Sequence, residues 1–210
     1  QGPNSNALLR EITGNEIDKL SFFSFKDFKI KNKNFLISRT GFSKQGGYEL
    51  YIKNPSSGRW LWDLVIQEGF KFNLKVGTVN LIERVESGLL SYGNDMTIKD
   101  TPFDCSLGKY CSLESDYNFI GKKALLTQSK RGPFRDIYKV YFDAPPNLDS
   151  FDVSCYAGDK KIGKLTSLIF SPKYNKYLGF MITKKENINN DKEFFVKIRT
   201  TMYKASIENF

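Results

Sequence analysis

The 210-residue chain is 40% hydrophobic and 15% aromatic, which excludes a disordered composition and allows one large domain or two small ones. It carries 32 Lys and Arg against 23 Asp and Glu, a formal net charge of +9, and no histidine. Without an imidazole, a Ser-His-Asp triad, a Cys-His pair and a His-ligated metal cannot be assembled, and no apolar run approaches the roughly 20 residues of a membrane span.

The opening Gln1-Gly2-Pro3-Asn4 has no starting methionine and no signal-peptide pattern, so the chain is expected to begin partway through a longer protein of the cytoplasm. Residues 4–13 read as a helix. Asn4 or Ser5 caps it, Ala7, Leu8, Leu9 and Ile12 are its apolar positions, and Gly14 stops it. Residues 22–30 read as a strand, 32–34 as a hairpin turn, 35–39 as the returning strand and 48–52 as another. The short cluster Lys29, Lys31 and Lys33 is typical of the scattered basic charge, which reads as a solvated face and not as a nucleic-acid surface. A positive surround also suits an anionic small ligand.

Residues 40–47, TGFSKQGG, hold three glycines and a serine. They form either a long hairpin loop or a backbone that a ligand approaches closely. A helix is expected from Ser56 or Ser57 to about Gln67, with Trp60, Leu61, Leu64 and Val65 as its apolar stripe and Gly69 as its stop. Tryptophans in such a stripe read as core before they read as ligand stackers. After a connector over residues 73–79, Leu81, Ile82, Val85 and Leu89 fall at helical spacing up to the Gly88 stop. Tyr92-Gly93-Asn94-Asp95 is a tight turn, and Pro102 restarts an extended segment. Glu86 and Asp95 invite a paired-carboxylate reading, set against a purely structural one.

The cysteines Cys105, Cys111 and Cys155 are odd in number and not closely paired, which reads as reduced core or loop thiols. A helix is expected over residues 118–130, followed by the linker signal Ser129-Lys130-Arg131-Gly132-Pro133. Short β segments then follow over residues 137–142, 151–156, 160–167, 177–182, 193–198 and 201–207, with a hairpin at Gly158-Asp159. Their spacing suits a small barrel or sandwich.

The run Arg84-Val85-Glu86-Ser87-Gly88, then Tyr92-Gly93-Asn94-Asp95, then Thr101-Pro102, then Phe119-Ile120-Gly121-Lys122 resembles the folate-dependent aminomethyltransferase family. That family includes the glycine-cleavage T-protein, its sarcosine and dimethylglycine oxidase relatives, and dimethylsulfoniopropionate demethylase. SGLLSYGNDM, with SKQGGYELY upstream, looks most like the demethylase branch. The segment GKLTSLIFSPKYNKYLGFMI is similar to the family's C-terminal barrel, with Leu168 where a glycine is usual. The resemblance covers nearly the whole chain but only the last two-thirds of the family's length.

It implies an α+β fold: an incomplete folate-binding α/β body of ferredoxin-like type over residues 1–130, and a small C-terminal β-barrel over residues 134–210. SRTGFSKQGGYEL is similar to the family's SRTGYTGEDGFEI, whose loop borders the folate and whose final glutamate contacts the pterin. This places the contact on Glu49, where a carboxylate can accept two parallel hydrogen bonds from a ring N–H and an amine. The bland alternative is a surface strand carboxylate. Tyr48, Arg39 and Phe42 on the same loop, and Tyr92 and Asn94 on the turn, complete the expected tetrahydrofolate contacts. Asn80 stands where T-proteins usually carry an arginine for the folate's glutamyl tail; either a nearby cation such as Lys75 substitutes or the tail is held differently. Arg84 and Glu86 are expected to brace domains as an ion pair.

The implied activity is methyl transfer from a small-molecule donor, dimethylsulfoniopropionate, to tetrahydrofolate. One alternative is aminomethyl transfer from a lipoyl carrier protein. Another is a non-catalytic folate-binding relative, the isolated segment being inactive. The family's acidic catalytic residue lies in its N-terminal part, so no catalytic residue is assigned in this chain. No metal, nucleic acid or membrane is expected as a partner.

Overall fold

The computed structural model describes residues 1–145, 153–189 and 193–210. These divide into two compact units, Gln1–Ser87 and Gly88–Phe210. Among the described residues no helix is long and apolar enough to cross a membrane.

In the first unit, helix α1 (Ser5–Thr13) ends where Gly14 takes φ 83° and its N–H reaches the carbonyl of Arg10. Strands β1 (Phe25–Ile30), β2 (Lys33–Ser38) and β3 (Glu49–Tyr51) form an antiparallel sheet in that order. The hairpin is tighter than the sequence suggests. Ile30 pairs with Lys33, so Lys31 and Asn32 alone make the turn, with Lys31 at φ 49°. Strand β1 also starts later than expected, because Phe23 sits at φ 59° and breaks the extended run. Helix α2 (Gly58–Gly69) follows a 3-10 turn at Pro55–Ser57. Gly69 is its last residue and not an αL stop; the left-handed residue is Asn73, after a further 3-10 turn.

The alternation of the strands sets the core. Phe28, Ile30, Phe35 and Ile37 point to one face and join Leu8, Leu9, Ile17, Leu61 and Leu64 of the helical layer. Burying each such side chain favours the fold by about 1.5–3 kcal/mol. Trp60 is part of this packing, its ring stacked 6.0 Å from that of Phe35, so it serves the core. Helix α3 (Leu81–Glu86) is one and a half turns long and is capped by Asn80, whose Oδ1 accepts from the N–H groups of Ile82 (2.9 Å) and Glu83 (3.2 Å).

The second unit opens with a long ordered loop. Helix α4 (Lys122–Arg131) starts four residues later than residues 118–130 imply, because Gly121 adopts φ 91° and serves as its N-cap. It buries none of its residues. Strands β4 (Arg135–Phe142), β5 (Val153–Ala157), β6 (Lys160–Lys164), β7 (Thr166–Ser171), β8 (Lys176–Lys184), β9 (Phe194–Ile198) and β10 (Thr201–Asn209) form one antiparallel sheet in the order β6-β5-β9-β10-β4-β8-β7. The hairpin at Gly158 is present, with φ 57°. Phe151 and Asp152, expected at the start of β5, lie outside the described residues.

The single strand expected over residues 160–167 is two strands on opposite edges of the sheet, separated by Leu165 alone. One residue cannot span a flat seven-stranded sheet, in which neighbouring strands lie about 4.8 Å apart. The sheet therefore curls until its edges meet. The Thr183 hydroxyl of β8 donates to the Ile162 carbonyl of β6 at 2.7 Å, and Gly163 leaves no room for a Cβ, which would come within 2.7 Å of Met181 Sδ. Val140, Phe142, Cys155, Met181 and Val196 fill the interior of the curl.

Candidate functional site

The glycine-rich loop joins β2 to β3, and the first polar group to place on it is Glu49. In β3 the side chains alternate: Tyr48 and Leu50 turn toward the helical layer, while Glu49 and Tyr51 turn to the open face. Glu49 pairs across the sheet with Ser38, and its Oε2 accepts a hydrogen bond from the Thr40 hydroxyl. The Ser38 and Thr40 hydroxyls are 2.5 Å apart. An ionised carboxylate only accepts, so the Thr40 proton goes to Glu49 and the Ser38 proton goes to Thr40. Ser38, 6% exposed, thus anchors a relay that ends in an exposed carboxylate. Among the described residues Thr40 alone donates to Glu49, which leaves acceptor sites for a ligand.

Tyr48 and Arg39 are brought together. The guanidinium lies 6.0 Å from the centre of the Tyr48 ring and donates to the Leu20 carbonyl at 3.0 Å. The Tyr48 hydroxyl donates to Asn6, which donates to Asp18 (2.8 Å), itself paired with Arg10 (2.9 Å). Burial is the main cause that pushes the Tyr48 phenol above its ordinary value. Tyr48 also lines a cavity of about 500 Å³ with Leu8, Leu9, Leu50, Phe72 and the exposed Lys75. Because Tyr48 and Glu49 are neighbours on a strand, they address opposite faces. Tyr48 stands on the cavity side and Glu49 does not. Phe42, 36% exposed, sits on the loop that precedes them.

The residue that sequence reasoning passed over is Gln1. Its amide donates to the carbonyls of Thr40 and Tyr48, both at 3.2 Å, and accepts from the Ser43 hydroxyl at 3.0 Å. Gly2 N–H adds a bond to the Gly46 carbonyl at 3.0 Å. A Cβ at Gly41 would come within 2.0 Å of Gln1 Oε1, and one at Gly47, whose φ is 142°, within 2.8 Å of Gln1 Cα. The close approach that these glycines permit is made by Gln1.

Tyr92 and Asn94 belong to the second unit, on the turn after Gly88. The turn is closed by Asp95 N–H to the Ser91 carbonyl (2.8 Å) and by Gly93 N–H to the Met96 carbonyl (2.7 Å). Asp95 is 4% exposed; its Oδ2 accepts from Ser91 N–H at 2.9 Å and its Oδ1 from the Ser167 hydroxyl. Asn94 Nδ2 donates to Ser167 Oγ at 2.7 Å. Tyr92 stands out at 69% exposure. Further along, Arg135 bridges Asp100 (3.0 Å) and Asp104 (3.1 Å), and Asp104 also accepts from Thr101 N–H (2.9 Å). That clip fixes the Thr101-Pro102 segment to β4. Arg84 is 3% exposed and Glu86 half-buried. Burial raises the Cys105 thiol to about 11 and the Cys155 thiol to about 12, so neither is a ready nucleophile.

Residues 1–115 match the family described as the GCVT N-terminal domain. The chain is 39% identical over 176 residues to "Dimethylsulfoniopropionate demethylase DmdA" of Ruegeria pomeroyi, a match that covers 83% of this chain and 47% of that protein. It is 32% identical over 211 residues to an "Aminomethyltransferase" of Caldanaerobacter subterraneus subsp. tengcongensis, covering 99% of this chain and 55% of that one. The crystal structure of glycine cleavage system aminomethyltransferase T from Bartonella henselae superposes with a TM-score of 0.77 at 23% identity, covering 100% of this chain and 57% of that one. This last likeness is one of fold. The chain spans about half the length of the curated relatives it matches.

Proposed function

The chain belongs to the glycine-cleavage T-protein family of folate-binding transferases, and on that premise we propose that the protein moves a methyl group from dimethylsulfoniopropionate to tetrahydrofolate. The observation that carries the folate part of the reading is Glu49, and the choice of donor is supported by the 39% identity to the demethylase. Glu49 is an exposed carboxylate, oriented by Thr40 and Ser38, that keeps acceptor sites for paired N–H donors. A pterin edge, with a ring N–H beside an exocyclic amine, has the matching donor pair. The residues present therefore fit the folate.

When bound, tetrahydrofolate would supply a nucleophilic N5 to take the methyl group, the S–C electron pair remaining on the neutral sulfide of methylmercaptopropionate, whose carboxylate keeps its charge, and one proton being released from N5. A sulfide leaves without acid assistance, so the chain need supply alignment and exclusion of water instead of a nucleophile. Glu49 would hold the N–H edge of the pterin. Arg39, whose guanidinium lies 6.0 Å from the Tyr48 ring centre, ties its end of the loop to Leu20, and Phe42 offers a part-exposed ring on the same loop. Asn80 is spent on capping α3, so it does not hold the glutamyl tail. Cytoplasmic location, a folate body over residues 1–130 of ferredoxin-like type and a barrel over residues 134–210 belong to the same reading.

Aminomethyl transfer from a lipoyl-carrying partner is the second reading, favoured by matches to aminomethyltransferases that run the length of the chain. The test joins this chain to the N-terminal half of the Ruegeria pomeroyi relative and offers both donors with tetrahydrofolate. Formation of 5-methyltetrahydrofolate from the sulfonium, lost in Glu49→Ala, supports the first reading. Turnover only with the aminomethyl-lipoyl carrier sinks it in favour of the second. Folate binding without turnover of either donor leaves a non-catalytic folate-binding relative.

A further inference from the structure

Where the edges of the curled sheet meet, a cavity of about 320 Å³ opens in the second unit. It is lined by Lys160 and Lys161 of β6, Thr183 and Lys184 of β8, Arg135 of β4, and Asn187 of the 3-10 turn Lys185–Asn187. Sites for small molecules run from about 300 to 1,000 Å³, so the space suits a small ligand. Four of the lining residues are cations.

The register explains why a lysine stands at this seam. Cys155 pairs with Gly163 and Tyr156 with Lys161, which leaves Ile162 as an extra residue in β6. Lys160 pairs with Ala157, a core residue, and cross-strand partners share a face. The Lys160 stem is therefore turned inward. Lys161 pairs with Tyr156 on the outer face and lines the same cavity from there.

The hydrogen bonds behind Lys160 run in one direction. A carbonyl only accepts, so the Thr183 hydroxyl gives its single proton to the Ile162 carbonyl at 2.7 Å. Thr183 Oγ1 then offers lone pairs alone, and Asn187 must turn its Nδ2 to it, as observed at 2.9 Å. Asn187 Oδ1 is left to accept from the Lys160 ammonium at 2.9 Å. Thr183 is 4% and Asn187 8% exposed, so this support is buried and fixed.

An amide carbonyl supplies a hydrogen bond but no counter-charge. The neighbouring cations have theirs. Arg135 bridges Asp100 and Asp104, Lys184 stands 3.6 Å from Glu186, and Lys185 stands 3.5 Å from Asp136. Among the described residues no carboxylate pairs with Lys160 or Lys161.

We propose that this cavity binds a phosphate group, with Lys160 and Lys161 as its contacts and Asn187 and Thr183 as positioning residues. The donor set selects the anion. A planar carboxylate is matched best by an arginine fork, and the fork of Arg135 is already engaged by two carboxylates. The free donors are compact ammonium charges, which suit oxygens spread over a tetrahedron and a charge close to −2. The site lies wholly within the second unit and stands apart from the folate reading.

The experiment follows the amide ¹H–¹⁵N shifts of the 210-residue chain during titration with inorganic phosphate, at constant ionic strength set with chloride. Phenyl phosphate and acetate are titrated in the same way. Saturable shifts confined to residues 160–163 and 183–187 are expected with both phosphates. The half-saturating concentration should rise at least tenfold in Lys160→Gln, as loss of a charged hydrogen bond implies, and also rise in Lys161→Gln. Lys123→Gln on α4 changes the net charge equally and should leave it unaltered. Tighter binding of phenyl phosphate places the group on a larger ligand; tighter binding of inorganic phosphate identifies the free ion. Shifts scattered over the lysines of the whole surface, or equal weakening in Lys123→Gln, overturn the site. Equal half-saturation by acetate overturns the choice of anion. An inward lysine on an edge strand also discourages pairing with other chains. Loss of solubility in Lys160→Gln, with no saturable phosphate binding in the parent, would assign Lys160 to that role and overturn the proposal.

Discussion

Each unit holds a three-group relay ending in a carboxylate, and the two differ in which end faces water. In the first, buried Ser38 hands a hydrogen bond to Thr40 and Thr40 to the exposed Glu49. In the second, exposed Asn94 donates to Ser167 and Ser167 to the buried Asp95. The same chemistry therefore serves opposite ends. An exposed carboxylate with acceptor sites to spare is a group for a ligand, whereas a buried one that accepts from its neighbours holds backbone and side chains in place. Glu49 is accordingly expected to matter for binding and Asp95 for stability as well.

The sharpest contrast comes from truncating both carboxylates. Asp95→Ala strips Ser91 N–H and Ser167 of their acceptor and should destabilise the chain by about 2–4 kcal/mol in urea unfolding. Glu49→Ala should change stability by less than about 0.5 kcal/mol. Equal losses would abolish the distinction. Next is Arg135→Met, which leaves Asp100 and Asp104 without their shared cation; a loss of about 2 kcal/mol is expected, discounted from the cost of breaking a fully buried pair because Arg135 is 35% exposed. Asn80→Ala removes the cap of α3 and should cost about 1 kcal/mol, while Asn80→Asp, which keeps the acceptor, restores it.

The smallest effect concerns the thiols. A thiol-reactive disulfide at pH 8 should label the half-buried Cys111 promptly and Cys105 and Cys155 only on unfolding. Burial raises both buried thiols, so folding favours their neutral form. That contribution is complete below the ordinary thiol value of about 8.5 and declines as pH rises from there. It is gone once pH has passed the folded values of about 11 and about 12. Prompt labelling of Cys155 in the folded chain would contradict its place inside the curled sheet.

Much of the fold was legible in the residues. The helices announced themselves by apolar spacing and by Gly14, and the β segments of the second unit by β-branched and aromatic runs between turn signals. The misread boundaries share a cause. Lys31, Phe23 and Ser167 adopt left-handed backbone without being glycine, and tertiary packing imposes that conformation where no local preference announces it. The split of residues 160–167 at Leu165 was hidden for a similar reason: the two strands pair with partners far apart in sequence. At the candidate site, Glu49, Tyr48, Arg39 and Phe42 are named through a family resemblance, and the opposite facing of Tyr48 and Glu49 follows from alternation once the strand is placed. Gln1 was not found, because its role depends on carbonyls some forty residues away. Nor could spacing reveal that Ser167 meets Asp95, a contact spanning 72 residues.

The central claim is that Glu49 receives the N–H edge of the pterin. The most direct test is calorimetric titration of tetrahydrofolate into the chain joined to the N-terminal half of the Ruegeria pomeroyi relative and into its Glu49→Gln form, with unfolding curves run in parallel. Loss of a charge-assisted pair should weaken binding about ten- to a hundredfold, with stability unchanged. Equal affinity in the two proteins would contradict the claim.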